Sequence, residues 1–317
     1  MKIRTLQELK SQGVQYLSKW HLVNEPNKLN TILNNQLYAG YSSGFNDAFD
    51  SQVRLSDDVK KKLAIEIKEL IDKKEFGCLM VSNVADSNYY INILNQHLEL
   101  LHGINIACFS ELDPISVSSN YMWGHYGGSG LGVALCYNID DLIAYTKLDD
   151  FNSNGCGFYD VAYDAIGHAQ NYHIIKQYIV KTLSAVLEKK QLPNPEMPII
   201  TFLSSKTKHW ENEKEWRFIS LRNYPTAKNV NQYIDPKINT LNLIQETKQK
   251  DNKLFSFIKP AKLVFGWHNH KNKDWQQFAY NELEKWANKN KIECIYLDDK
   301  LDYDNEKFNT RPERAIK

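Results

Sequence analysis

Apolar residues recur at helical spacing in several parts of the chain. In the segment 55–74, Val59, Leu63, Ile67 and Leu70 fall on one side while lysines occupy the other, which is typical of an amphipathic helix. Pro26 precedes a second such segment and stands where helices commonly begin. The spacing predicts helices over residues 6–17, 27–34, 55–74, 89–101, 173–189 and 274–288.

Short apolar runs that end in polar residues or glycine form a second recurring pattern. Residues 104–110 and 132–137 are such runs, and residues 158–163 alternate as a half-buried strand does. Further strands are predicted over 37–41, 216–221, 263–266 and 292–297. Helices separate only some of these strands, which favours an α+β fold over a regular parallel βαβ array. We predict one central, mostly antiparallel mixed sheet flanked by helices.

Few features divide the chain into parts. There is no internal repeat, and the one stretch that resembles an insertion is polar and rich in Asn, Lys and Gln, near residues 223–253. We therefore predict a single α+β domain over residues 1–297. The segment 298–317 is charged and poor in apolar residues, which predicts a mobile tail.

Composition and charge narrow the function classes. The chain has 317 residues, of which 42% are hydrophobic, and 39 Lys and Arg stand against 38 Asp and Glu. Such a balance gives no overall field for nucleic acid or anionic membranes, so any nucleic-acid contact must be local. The apolar runs are shorter than the roughly 20 residues of a membrane-spanning helix, and the first residues lack the pattern of a secretory signal. We expect a cytoplasmic protein without membrane association.

The cysteines indicate reduced thiols rather than disulfides or a zinc site. They are five in number, scattered, and never paired at the two-residue spacing that zinc sites favour. Most lie in apolar runs, where cysteine behaves as a small hydrophobic residue. Cys108 is the one for which a role in chemistry stays open.

Three blocks combine aromatic and polar residues, and no phosphate-binding loop, paired-histidine helix or nucleophile elbow accompanies them. The first block is 44–50, with Asn46 and Asp47 between Phe45 and Phe49. It is either a loop that presents these side chains to a ligand or a turn fixed by side-chain bonds to its own backbone.

The second block, 121–133, joins an aromatic cluster to a glycine-rich turn. Trp123, His125 and Tyr126 each offer a ring and a polar group, which suits stacking on a nucleotide or nicotinamide ring. Glycines would let such a ligand approach the backbone closely. The alternative is that Trp123 belongs to the core, that the glycines serve only turns, and that His125 is structural.

The third block, 206–218, runs from a basic loop into a predicted strand. If Glu213, Glu215 and Arg217 lie on one extended segment, their spacing places all three on the same face. Arg217 would then hold one carboxylate ionised and leave the other free for chemistry, as the only basic group so placed. The alternative is a salt-bridged strand at the surface.

In this order, the blocks resemble a bacterial family catalogued as domain of unknown function 2971. The resemblance is carried by Lys19 with Trp20 and by residues 45–50, 108–110, 122–126 with Gly132, and 210–217. Ala48 stands where the family has proline, and Trp20 where it has tyrosine. The family implies no established activity.

The layout is also similar to that of ADP-ribosyltransferases, which implies an enzyme that transfers ADP-ribose from NAD to a nucleic acid or protein. The resemblance implies catalytic roles for Glu215, Glu213, His125 and Tyr126. It implies cofactor-binding roles for Lys19, Trp20, His21, Asn46, Asp47, Trp123 and Arg217, around one cleft. Such an enzyme would be a toxin or an anti-phage defence effector.

Two other functions stay open. The same blocks would also serve a non-catalytic module that senses a nucleotide or a phage protein together with a defence-system partner. Metal-dependent hydrolysis would need His268, His270, Asp47 and Asp50 as ligands. We expect no metal, because the two histidines lie in a polar turn rich in Lys and Asn.

Overall fold

A computed structural model of the chain describes residues 4–41, 44–45, 56–72, 104–153, 155–163, 176–177, 181, 200, 203–222, 253–267, 274–302 and 305–311. Besides two short 3-10 helices, the named α-helices within these ranges are α1 (Leu6–Ser11), α2 (Pro26–Leu33), α3 (Asp57–Asp72), α4 (Asn120–His125), α5 (Ile139–Tyr145), α6 (Asp149–Ser153) and α7 (Asp274–Asn290). None of the helices in the described part of the chain is long and apolar enough to cross a bilayer.

Several of the strands coincide with apolar runs of the sequence. They are β1 (Tyr16–His21), β2 (Gln36–Tyr38), β3 (Gly40–Tyr41), β4 (Asn105–Ser110), β5 (Val133–Asn138), β6 (Cys156–Asp160), β7 (Ala162–Tyr163), β8 (Ser205–Lys206), β9 (Glu215–Ser220), β10 (Leu254–Ser256), β11 (Lys262–Phe265), β12 (Glu293–Asp302) and β13 (Lys307–Arg311).

Most strands join one mixed sheet of nine strands. Its order is β13-β12-β11-β5-β1-β4-β9-β6, with β3 paired to β4 beside this path. The pair β11 and β12 is parallel, and the other pairs of this sheet are antiparallel. Two small two-stranded sheets, β10 with β2 and β7 with β8, complete the pairing. The α+β class and the mostly antiparallel mixed sheet are confirmed.

Both faces of the sheet are covered. Alternate residues such as Leu17, Phe109 and Phe218 belong to the larger core cluster, against which the helices pack. The residues between them face a second, smaller cluster built around Trp20 and Trp123. On this second face of β4 and β9, Ser110, Glu215 and Arg217 are buried.

The predicted helix over residues 6–17 is wrong in its second half. Helix α1 begins with a capping box between Thr5 and Glu8 and ends at Ser11. Gly13 then adopts a positive φ of 86°, which redirects the chain into the central strand β1. An apolar residue such as Leu17 suits both a helix and a buried strand, so helical spacing alone does not distinguish the two.

The predicted mobile tail is also wrong over its first residues. Strand β12 continues to Asp302, and residues 307–311 return beside it as the edge strand β13. Phe308 anchors this return, because its ring is buried and stacks on Trp267 at 5.0 Å between ring centroids. This ring and the backbone pairing with β12 hold a segment that is otherwise polar.

The remaining predicted elements divide into two groups. Helices 27–34, 55–74 and 274–288 are confirmed as α2, α3 and α7, within a few residues. The predicted helix 89–101, most of 173–189 and nearly all of the polar stretch 223–253 lie outside the described residues. Division of the chain into a single domain stays a prediction.

Candidate functional site

The central sheet opens between two of its middle strands. Strand β1 pairs with β5 along its whole length but shares with β4 only the residue pair Ser18 and Ser110. Beyond that pair a cavity of about 40 Å³ lies between the two strands. Its polar walls are Ser18, Lys19, Cys108, Tyr126, Glu213 and Glu215, and Trp20, Phe109 and Met122 supply the apolar ones.

Two carboxylates line one side of the cavity, and two cations pair with them. Lys206 Nζ donates to Glu213 Oε2 at 2.6 Å and to Glu215 Oε2 at 2.9 Å. Arg217 Nε donates to Glu215 Oε1 at 2.6 Å, and Tyr126 Oη donates to Glu213 Oε1 at 2.7 Å. The carboxylates and Arg217 are 2% exposed or less. The alternative of a surface salt-bridged strand is therefore wrong.

A left-handed residue brings the two glutamates together. Glu213 ends the 3-10 helix Lys208–Glu213, and Lys214 adopts φ 44° before β9 begins at Glu215. Ser110 Oγ donates to the Glu213 carbonyl at 2.5 Å, which fixes the turn. Glu215 and Arg217 share a strand face as predicted, but Glu213 is not on an extended segment. The prediction that all three residues lie on one extended segment is wrong, because the positive φ of Lys214 has no signal in the sequence.

The two carboxyls have different proton affinities. Burial alone would raise the pKa of Glu215, but the charges of Arg217 and Lys206 outweigh it and hold that pKa well below its usual range. Burial raises the pKa of Glu213, and Lys206 opposes this only in part. Glu215 is therefore fixed as an anion, while Glu213 is the carboxyl that can exchange a proton.

Strand β1 contributes the predicted basic residues. Lys19 Nζ donates to the Cys108 carbonyl at 3.0 Å and lies 5.4 Å from the centroid of the Phe109 ring. Burial lowers the pKa of Lys19. Burial, together with the charges of Lys19 and Lys28, lowers the pKa of His21 to about 3, so this histidine is neutral at physiological pH.

Trp123 is a core residue, which corrects its expected role in stacking a ligand. Its side chain is fully buried, and its Nε1 donates to the Pro114 carbonyl at 2.9 Å. The glycine-rich turn fits around it and around Trp267: a Cβ added at Gly127 would lie 2.5 Å from the Trp123 ring, and one at Gly130 2.4 Å from the Trp267 ring. These glycines permit close packing within the protein.

His125 lies on the outer side of Tyr126 rather than in the cavity. Its ring contacts Tyr121 at 4.3 Å and Trp210 at 5.9 Å between centroids. Of the predicted site residues, the cavity thus brings together Lys19, Trp20, Tyr126, Glu213 and Glu215, with Arg217 directly behind. Asn46 and Asp47 lie outside the described residues, as do Asp50, His268 and His270.

Lys206 was missed in the sequence, and Arg217 is therefore not the only basic group at the carboxylates. A signal for it existed: two buried carboxylates with one arginine still need a second cation, because an unpaired buried charge is costly. Lys206 is the first residue of the third block and lies in the short strand β8, and its ammonium also lies 4.8 Å from the centroid of Trp210.

A wider groove of about 370 Å³ adjoins the cavity and shares Lys19 and Cys108 with it. Aromatic side chains line the groove, and Lys253 lies 4.7 Å from the ring centroid of one of them, Tyr41. The Arg217 guanidinium lies 5.8 Å from the ring of Phe45, which connects the groove to the carboxylates. The other lining residues are Tyr38, Gly40, Gly44, Ile106 and Ala107.

Within the part of the chain that the structure describes, no group of three or more His, Cys, Asp or Glu is placed to hold a metal ion. Fold and site define an α+β protein with a buried, ion-paired carboxylate centre at an opening of its main sheet. Residues 122–218 match the model of a family described as "Protein of unknown function (DUF2971)". The match includes Tyr126, Glu213, Glu215 and Arg217. No curated protein and no solved structure matches the chain.

Proposed function

We propose that the cavity and the adjoining groove bind NAD, and that the protein is an ADP-ribosyltransferase-like enzyme. The observation that carries the proposal is the Glu213 carboxylate, which lies in the cavity wall between Tyr126 and Lys206 and has a raised pKa. Such a carboxylate has the two properties that transfer from NAD requires: a negative charge in a water-poor site and the ability to accept a proton.

The proposed reaction uses these properties in one displacement. The bond between the ribose carbon C1′ and the nicotinamide nitrogen breaks, and its electron pair leaves with nicotinamide. The ribose passes through a positively charged, oxocarbenium-like state that ionised Glu213 would stabilise. An acceptor oxygen or nitrogen forms the new bond to C1′, and its proton passes to Glu213. Glu215, kept ionised by Arg217 and Lys206, would hold the cluster in place.

The groove suits the rest of the dinucleotide. Tyr38, Tyr41 and Phe45 offer aromatic faces for the adenine ring. Lys19 and Lys253 would offset the charge of the pyrophosphate. Tyr126, which lines the cavity and is 40% exposed, would contact the nicotinamide ring at the cavity mouth.

One observation favours the second candidate, a non-catalytic module that senses a nucleotide or a phage protein. Each oxygen of the two carboxylates already accepts a hydrogen bond from Lys206, Arg217 or Tyr126. A group that accepts a proton during catalysis must release or weaken one of these bonds, whereas a binding site can keep them all.

The two candidates differ in what happens to NAD. We expect purified protein incubated with NAD to release free nicotinamide, detected by mass spectrometry, and to transfer ADP-ribose to an added acceptor. Heat released on binding, with NAD recovered intact in the presence of acceptor, would identify the sensing module. If the protein neither binds nor cleaves NAD, the proposal that NAD is its nucleotide is contradicted. As a transferase, the protein would act as a cytoplasmic toxin or an anti-phage effector.

A further inference from the structure

Four aromatic side chains form an exposed patch directly outside Glu213. This aromatic platform consists of Tyr121, His125, Tyr126 and Trp210. Its rings lie 4.3 to 6.4 Å apart between centroids, from Tyr121 with His125 at the short end to His125 with Tyr126 at the long end. Tyr126 and His125 are exposed, and Tyr121 and Trp210 are half-buried. The patch is therefore open to a ligand.

Local geometry sets the platform beside the carboxylates. Tyr121 and His125 are four residues apart on α4, on the side opposite the buried Met122 and Trp123. Trp210 and Glu213 are three residues apart in a 3-10 helix, so their side chains project in the same direction. The hydroxyl of Tyr126 reaches Glu213 at 2.7 Å, and this bond connects the platform to the cavity.

Positive charge lies next to the rings. The Lys206 ammonium, 4.8 Å from the Trp210 centroid, is ion-paired with Glu213 and Glu215, so the exposed positive charge comes from other residues. On the segment that carries Trp210, the exposed cations are Lys208 and Lys214, and the one exposed acid is Glu211. Exposed aromatic faces interleaved with cations are the pattern with which proteins hold single-stranded nucleic acid, where rings stack on bases and cations neutralise phosphates. A nearly neutral protein would depend on such a local arrangement.

We propose that the aromatic platform stacks unpaired bases of single-stranded nucleic acid and presents one of them to Glu213 as the acceptor of ADP-ribose. The inference rests on the proposed transferase function. An unpaired base offers a ring or exocyclic nitrogen that can form the bond to C1′ as nicotinamide leaves, with its proton passing to Glu213. A base inside a duplex is already stacked and paired, so the platform selects single strands.

Binding is tested without NAD, by fluorescence anisotropy of labelled single-stranded DNA and RNA and of the matching duplex. We expect single strands to bind more tightly than the duplex, and Trp210→Leu and Tyr121→Leu each to weaken binding about ten-fold. Trp210→Phe, which keeps a ring, should retain most of the affinity. Phe278, exposed on α7, supplies the control Phe278→Leu, which should bind like the wild type. Thermal melting identifies any variant that fails to fold.

Four results distinguish the inference from the transferase function. Equal affinity for duplex and single strands, or unchanged affinity in both leucine variants, overturns the inference. Nicotinamide release together with modification of protein but not of single-stranded nucleic acid also overturns it, while the transferase function survives. Single-strand binding that needs the rings, in a protein that leaves NAD intact, keeps the stacking platform and contradicts the transferase instead.

Discussion

Lys206 is the residue whose removal tests the buried cluster most sharply. Its ammonium bridges Glu213 and Glu215, and all three side chains are nearly inaccessible to water. Lys206→Met keeps much of the side-chain volume and removes the charge. Glu215 then keeps its ion pair with Arg217, whereas Glu213 keeps the hydrogen bond from Tyr126 and loses its cation.

The magnitude follows from burial. Removing one partner of a buried ion pair typically costs about 3–5 kcal/mol of unfolding free energy, because the other charge is left in a medium that solvates it poorly. The matched control is Lys10→Met, which breaks a 2.5 Å ion pair with Asp140 at the surface. Such exposed pairs contribute about 0–1 kcal/mol, so urea denaturation should resolve the two variants clearly.

The cost should also depend on pH in a defined direction. Without Lys206, the pKa of Glu213 rises further above that of the unfolded chain, so the folded variant binds a proton that the unfolded chain does not. A raised folded-state pKa favours folding at low pH. The loss of unfolding free energy in Lys206→Met should therefore decrease as the pH falls towards the ordinary glutamate pKa of about 4.3. It should increase as the pH rises above that value.

Adding Glu213→Gln to Lys206→Met removes the unpaired charge and should recover part of the stability. A Lys206→Met protein no less stable than Lys10→Met at every pH would refute the reasoning, because Glu213 and Glu215 would then not depend on the lysine.

Further predictions concern the arginine, the turn and the pH profile. Arg217→Lys should lower unfolding free energy by about 1.5–3 kcal/mol in thermal melting, because a lysine cannot keep the bonds to both Glu215 and the Leu203 carbonyl; an unchanged melting temperature would contradict this. Gly130→Ala should cost at least about 1 kcal/mol in urea denaturation, since Gly130 has φ 83° and its Cβ would strike Trp267, whereas Gly124→Ala, with open space around it, should be neutral or stabilising. Nicotinamide release should fall at acid pH, with a midpoint above about 4.3 that reports the raised pKa of Glu213; a midpoint at or below that value would exclude Glu213 as the group that must be ionised.

The hydrophobic pattern predicted the sheet well because buried strands carry apolar residues whatever their neighbours. The runs 104–110, 132–137 and 263–266 became β4, β5 and β11, all in the middle of the sheet. The pattern failed where one residue outweighed its segment. Gly13 turned half of a predicted helix into β1, and Phe308 docked part of a predicted tail.

The sequence pointed to several residues that line the candidate cavity, but not to their arrangement. Glu213, Glu215 and Tyr126 were singled out because charged and aromatic residues gathered in short blocks, and all three line the cavity. Their geometry depends on two features that a single sequence does not display: the positive φ of Lys214 and the early separation of β1 from β4. Lys206 can be predicted only from the charge balance of a buried site, and that argument holds only once the two glutamates are known to be buried.

The most direct test of the proposed function is the rate of nicotinamide release from NAD by the wild type, by Glu213→Gln and by the surface control Asp140→Asn. We expect Glu213→Gln to stay folded, with a lower melting temperature because Lys206 loses one of its two carboxylates. Its rate should fall at least about a hundred-fold, because the substitution removes the negative charge and the proton acceptor. Asp140→Asn should match the wild type. Wild-type rates in folded Glu213→Gln would contradict the role of this carboxylate in the reaction.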